Sequence, residues 1–306
     1  MRKEAAERKT IVTTGIQGYH AGGTYLDRES YARAGFEGGF KVFTSDRSKV
    51  ADGTMKTYGL EIELESGINS SDALGIILEK VVFPTFPAGL FKQQHDGSLG
   101  GASSSEVITQ PMTKSFIRNH YNDFRAMWLF LRDINTAPGN SCGMHTNISM
   151  ACFGKSREAQ EAAIMKLHNW LVDNYGLACA LLKRDPRYTR YCGRMERGYL
   201  DTCGSHGLMC NYSHMNAGSA ARVEIRLVGP QRTFGSFRNT MEVIFHLVEA
   251  AKDGKNFSDP VKLWSGCNEC VLDRLKDLYD AGLMDAGTFQ AIKAKSIDEG
   301  IRAATR

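Results

Sequence analysis

Three short stretches of this 306-residue chain carry acidic, imidazole or guanidinium groups at every second position. The first is Tyr58–Glu65, where Glu61, Glu63 and Glu65 alternate with Leu60, Ile62 and Leu64. In the second, Cys142–Met150, His145, Asn147 and Ser149 alternate with Met144, Thr146, Ile148 and Met150. The third is Arg222–Val228, with Glu224 and Arg226 set against Val223, Ile225 and Leu227. Alternation of period two is the signature of a strand with one polar and one aliphatic face. A fourth stretch, His95–Val107, is a Gly/Ser-rich loop that passes through Asp96, Gly97 and Ser98 and delivers Glu106 to the start of a further strand.

Each stretch alone has a plain structural explanation. A row of carboxylates roughly 6.5–7 Å apart is tolerated on a solvated strand face. A lone strand histidine is usually a satisfied structural residue, and Glu224 and Arg226 can simply shield each other. Taken together they offer more. Hard cations such as magnesium take oxygen ligands. Several carboxylates and one imidazole can hold two or three such ions, which in turn grip nucleotide phosphates. Arg226 would add a fixed positive fork for a phosphoryl oxygen.

The elements that must position these groups follow from the same patterns. Ser71 and Asp72 can cap a helix whose apolar side is Leu74, Ile77, Leu78 and Val81. Short strands are expected at Leu90–Gln94 and Glu106–Gln110, and a long helix over Lys114–Asn135. A strand at Met144–Met150 precedes a second long helix, Arg157–Lys183. Leu208–Met215 and Arg222–Val228 are expected strands, and Phe237–Ala251 a third long helix. Thr10–Thr14 and Phe40–Phe43 are candidate strands, and shorter helices are expected over 268–282 and 284–303. This order predicts an α+β fold with a mostly antiparallel sheet and helices packed on one face. We expect a single domain over 1–306, with its core at about 55–250, an N-terminal extension or arm over 1–54 and a C-terminal helical addition over 255–306.

Composition narrows the class. At 42% hydrophobic and 24% charged residues, the chain is neither disordered nor collagen-like. A net charge of +4 suits anionic small molecules as well as nucleic acid, so it does not choose between them. The first ten residues alternate in charge sign without an apolar run, and no stretch approaches the ~20 apolar residues of a membrane span. A cytoplasmic protein without a membrane partner is the expectation, with its cysteines reduced. Cys267 and Cys270, or Cys203, His206 and Cys210, could assemble a structural zinc site, but they lack the familiar ligand spacing. The plainer expectation is small core residues without metal. Arg184, Arg187, Arg190, Arg194 and Arg197 crowd one loop, which either binds an anionic group or is a solvated basic surface.

The order of these motifs resembles the amidoligase family, which groups with glutamine synthetase and glutamate–cysteine ligase among the carboxylate–amine ligases. It is carried by Gly59, Glu61 and Glu63, then Asp96–Leu99 running into Glu106 and Val107. Cys142, Gly143, His145 and Asn147 follow, and then Glu224 and Arg226. The resemblance covers about residues 55–250. It implies a saddle-shaped, glutamine-synthetase-like sheet with ATP and magnesium on its concave face and helices on the convex one. By motif position, Glu61, Glu63, Glu106, His145 and Glu224 are then metal ligands, and Arg226 contacts the transferred phosphate. Asp96 and Ser98 border the substrate loop, and Asn147 and Asn216 fall at nucleotide-side positions. The chain departs from the family at Gly229–Thr233, where a Gly-Thr turn is usual, and in its cysteine-rich stretch over 192–210.

The implied reaction joins a carboxylate to an amine through an acyl phosphate, releasing ADP and phosphate. The acid would be a small molecule or a peptide, and the acceptor a metabolite, a protein or a modified nucleotide. Glu65 and Asp96 are candidates by location for the base that frees the amine. A homo-oligomer is left open. Two other activities compete: a kinase of a carboxylate or guanidino substrate on the same kind of sheet, and a basic or zinc-stabilised nucleic-acid-binding protein.

Overall fold

The computed structural model describes residues 42–44, 56–66, 74, 76–94, 104–185, 192–193, 207–208, 210–213, 222–254 and 290. Ten strands are present among them: β1 (Thr57–Ser66), β2 (Phe91–Gln94), β3 (Ser104–Thr109), β4 (Met112–Thr113), β5 (Thr136–Ala137), β6 (Met144–Ser149), β7 (Cys192–Gly193), β8 (Gly207–Leu208), β9 (Cys210–Ser213) and β10 (Arg222–Ile225). The helices are α1 (Lys114–Asn119), α2 (Tyr121–Asp133), α3 (Arg157–Asp173), α4 (Tyr175–Leu181) and α5 (Phe234–Lys252).

Eight strands form one open sheet in the order β2-β3-β1-β6-β10-β9, with β4 and β5 also paired to β1. All of its ladders are antiparallel. A separate parallel pair joins β7 and β8, and Phe43 makes an isolated parallel bridge to Met112. The expected mixture of helices with a mostly antiparallel sheet is therefore present.

β1 lies between β3 and β6, and every residue from Thr57 to Leu64 is buried. Tyr58, Leu60, Ile62 and Leu64 face the helices. The Tyr58 ring meets Phe245 of α5 edge-on at 4.7 Å. Phe91 of β2 extends this layer through Phe86 and Phe124 to Phe237. Burying a large apolar side chain here contributes on the order of 1.5–3 kcal/mol, so the helical layer sets which sheet face turns inward. The opposite face is left to Glu61 and Glu63.

Several expected boundaries shift for local reasons. Leu78–Val82 is a π-helical turn, so Leu74, Leu78 and Val82 are buried while Val81 points outward. A turn of more than four residues carries the inward side from position 81 to 82. The long helix expected over Lys114–Asn135 breaks at His120, whose ring stacks on Phe116 at 3.9 Å. The helix expected over Arg157–Lys183 breaks at Asn174, whose side-chain amide donates to the Trp170 carbonyl at 3.0 Å. α5 starts three residues before its expected beginning at Phe237, because Thr233 caps it by accepting from the Ser236 amide at 3.1 Å. The elements expected at 10–14 and 268–282 lie outside the described residues, as does the one expected over 284–303 apart from residue 290.

α1 and α2 are clasped to α5 by charge. Arg118 donates to Glu242 at 2.9 and 2.5 Å, Tyr121 donates to the same carboxylate at 2.8 Å, and Lys114 reaches Glu249 at 2.6 Å. Burial pushes the Glu242 carboxyl up, but the Arg118 and Tyr121 bonds outweigh it and hold its pKa below the ordinary 4.5. An acid whose folded pKa is lowered stabilises the fold above its unfolded value, and that contribution fades as pH falls through the folded one. Glu242→Gln should therefore lower the thermal midpoint at neutral pH and flatten its decline below about pH 4.5, as followed by circular dichroism across an acid series.

Candidate metal and phosphate site

Register brings the polar residues of four strands onto one face. In antiparallel ladders, directly opposed residues project to the same side. β1 sets Glu61 opposite His145 and Glu63 opposite Glu106. β10 sets Glu224 opposite Asn147. Glu61, Glu63, Glu106, His145, Asn147, Glu224 and Arg226 are all buried. The solvated-face explanation thus fails for Glu61 and Glu63 and holds only for Glu65, which is exposed.

His145 is the hub. Its Nδ1 lies 3.3 Å from Glu61 Oε2 and 3.5 Å from Glu224 Oε1, while Nε2 lies 3.5 Å from Glu63 Oε1. One ligand atom each from Glu61, Glu106 and His145 lies within 4.8 Å of the others. The carboxylates are held from outside this knot. Asn147 Nδ2 donates to Glu61 Oε1 at 2.7 Å, the Gly143 amide donates to Glu63 Oε2 at 2.5 Å, and Arg226 Nη1 donates to Glu224 Oε1 at 2.5 Å. Asn147 Oδ1 is buried and finds no hydrogen-bond donor among the described residues.

Charge is the distinctive property of this face. Glu63 and Glu106 sit at directly opposed positions, where Cβ atoms lie about 4.5–5.5 Å apart and like charges repel. Burial works against the charge of Arg226, but Glu224 and Glu61 outweigh it and raise its pKa. Lys92 on β2 stands opposite Ile108, which is itself opposite Glu61, so its position belongs to the same face. Burial lowers the Lys92 ammonium, with Glu106 opposing. Four buried carboxylates thus converge with Arg226, with Lys92 at the margin. Crowded oxygen donors, an imidazole and a surplus of negative charge fit a hard divalent cation.

Sequence reasoning had named Glu61, Glu63, Glu106, His145, Asn147, Glu224 and Arg226, and the structure brings them together. Asp96, Ser98 and Asn216 lie outside the described residues, as do Arg187, Arg190, Arg194 and Arg197. Arg184 is not part of a solvated basic surface: its guanidinium is buried, with Nη1 and Nη2 against backbone carbonyls of Cys142, Arg226 and Val228 and with Nε without a hydrogen-bond partner among the described residues. The role of the Gly143 amide was missed because a backbone donor leaves no residue-type signal. Lys92 was missed because strand register cannot be read from spacing alone. Of the candidate zinc residues, only the backbone of Cys210 is described. Cys142, Cys152 and Cys179 are buried free thiols, and burial pushes the Cys142 thiol up, with Glu63 and Glu65 adding to it. Among the described residues, no helix is long and apolar enough to cross a membrane.

No family profile matches the chain, and no curated protein matches it. Among solved structures it is similar to a complex of the prokaryotic ubiquitin-like protein Pup and its ligase PafA, with a TM-score of 0.35 and 13% identity. The match covers 66% of this chain and 48% of that one, so it spans about half of the neighbour's length. At that distance the likeness fixes neither family nor activity.

If the face binds a divalent ion, Mn2+ should raise the wild-type thermal midpoint through linkage. Glu106→Gln removes one of two opposed like charges. It should match or exceed the wild-type midpoint in chelator and gain less from Mn2+, as read by differential scanning fluorimetry.

Proposed function

We propose that this chain is an ATP-dependent carboxylate–amine ligase built on a glutamine-synthetase-like curved sheet, with 1–306 forming one catalytic domain. What supports the reading is the convergence of Glu61, Glu63, Glu106, His145 and Glu224 with Arg226 on one buried sheet face. This agrees with the motif order that resembles the amidoligases. The substrates are a small-molecule or peptide carboxylate and an amine, with a protein or modified nucleotide as a further acceptor class.

Glu61, Glu63, Glu106, His145 and Glu224 would hold two or three magnesium ions. Bound magnesium supplies the positive field that lets a polyphosphate and a carboxylate approach each other. Arg226, held by Glu224, would present a fixed guanidinium to the transferred phosphoryl oxygens with little reorganisation. Asn147, braced on Glu61, keeps a carbonyl oxygen in the site for a nucleotide or water donor. A substrate carboxylate oxygen attacks the γ-phosphorus and ADP departs. The amine nitrogen then attacks the acyl carbon, phosphate leaves with its oxygen, and the nitrogen loses a proton. Asp96 would border the substrate loop, and Ser98 and Asn216 would take the nucleotide side.

The test is ADP release by the full chain with Mg2+, a carboxylate library and an amine library, with products read by mass. Amide formation with one ADP per bond is the expected result. Glu224→Ala and His145→Ala should each lose at least ~10²-fold in turnover. ATP binding that no carboxylate converts to turnover would exclude ligation, and a phosphorylated product with the amine untouched would assign a kinase.

A further inference from the structure

Arg184 is a buried charged residue that the proposed chemistry leaves unused. It is only 7% exposed. Its Nη1 donates to the Cys142 carbonyl at 3.1 Å, and its Nη2 donates to the carbonyls of Val228 at 2.6 Å and Arg226 at 3.3 Å. All three acceptors lie where β6 and β10 run beyond their paired ladder, whose last rung is Thr146 with Ile225.

Local structure aims this side chain. α4 ends in a Schellman closure: the Lys183 amide donates to the Ala180 carbonyl at 3.2 Å, and the Arg184 amide to the Cys179 carbonyl at 2.8 Å. The closure places Lys183 in the left-handed region at φ 61°, where glycine is usual. The Gly229 amide then donates to the Leu182 carbonyl at 2.7 Å, and a Cβ on Gly229 would collide with the Lys183 carbonyl. The end of α4 is thus locked to the chain just past β10. A Cβ on Gly143 would lie 2.6 Å from Arg184 Nη2 and 3.5 Å from His145 Nε2, so the guanidinium occupies the space beside the hub.

We infer that Arg184 is a positioning residue for the acidic face. The Met144 amide already donates to the Val228 carbonyl at 3.3 Å. By adding bonds to Cys142, Arg226 and Val228 around that link, Arg184 fixes the separation between the Gly143 amide, which orients Glu63, and Arg226, which orients Glu224. The residues on either side of His145 therefore take their spacing from a group outside the set of proposed metal ligands. A lysine at 184 keeps the charge but cannot span three carbonyls in a planar fork. The inference rests on the proposed metal site, and its test separates the two.

Mn2+ uptake by the full chain is measured by isothermal titration and by the electron paramagnetic resonance spectrum of the bound ion, without nucleotide or substrate. Wild-type protein should bind Mn2+ and Glu61→Gln should lose it. Arg184→Lys should fold, as judged by circular dichroism and gel filtration, yet bind Mn2+ about 10- to 100-fold more weakly and with an altered spectrum, well below its thermal midpoint. Folded Arg184→Lys with wild-type affinity and spectrum would overturn the inference and leave the metal site standing. Failure of wild-type protein to bind Mn2+ would overturn both. If Arg184→Lys does not fold, Gly143→Ala takes its place, since its methyl group displaces the guanidinium without removing it. The same weakening is expected there, and unchanged binding would overturn the inference.

Discussion

The constraint on which the structure turns is the crowding of carboxylates on the polar side of β1. Glu61 is fully buried, and Glu63 stands directly across a ladder rung from Glu106. Removing one ionised carboxylate from water costs several kcal/mol unless it is paired or neutralised. A chain that needed only a fold would fill these positions with aliphatic groups, as it does on the reverse face with Leu60, Ile62 and Leu64. The polar face is therefore costly, and within the protein it is offset by the donors of Asn147, Gly143 and Arg226 and by the helical layer behind. A bound cation, as proposed above, would offset it further. The aromatic packing from Phe86 to Phe237 is what makes that arrangement tolerable.

How the carboxylates are held supports the same view. Three of the four have an outside brace, each of a different kind: an amide side chain for Glu61, a backbone amide for Glu63 and a guanidinium for Glu224. None of these braces neutralises the whole cluster: those on Glu61 and Glu63 hold one oxygen and leave the other toward His145, whereas Arg226 holds the same Glu224 oxygen that faces His145. Donor groups placed this way lose little conformational freedom when an ion or phosphate arrives. Building the site on strands rather than loops adds to that rigidity, because each position is tied to its neighbours by ladder bonds.

Much of this was legible before any coordinates, and the reason is geometric. Strand alternation has a period of two, so the pattern of Glu61, Glu63, His145, Asn147, Glu224 and Arg226 announces shared faces without knowledge of register. The helical boundaries were less legible because they depend on single local bonds. Asn174 ends α3 with its own side chain, His120 parts α1 from α2 by stacking on Phe116, and Thr233 starts α5 three residues before its apolar stripe. The π-helical turn at Leu78–Val82 defeated a 3.6-residue period outright. The burial of Arg184 was not legible because its neighbours in sequence are basic, whereas its neighbours in space are carbonyls. Composition reports the former and only folding reveals the latter.

Arg184 also shows why the acidic face cannot be understood as a list of ligands. A guanidinium buried among carbonyls forfeits its hydration and recovers it only if the acceptors are held at the right separation. The exchange constrains both parties: the strand ends orient the guanidinium, and the guanidinium orients the strand ends. Lys183 takes a left-handed backbone that a lysine adopts at some cost, and Gly229 gives up a side chain so that α4 can close against it. Glycine is the usual residue at the left-handed position of such a helix end, so a lysine at 183 and a position without a side chain at 229 are two choices that mark this junction. They make sense if the junction sets the distance between Gly143 and Arg226, because that distance decides whether Glu63 and Glu224 can serve one ligand shell around His145.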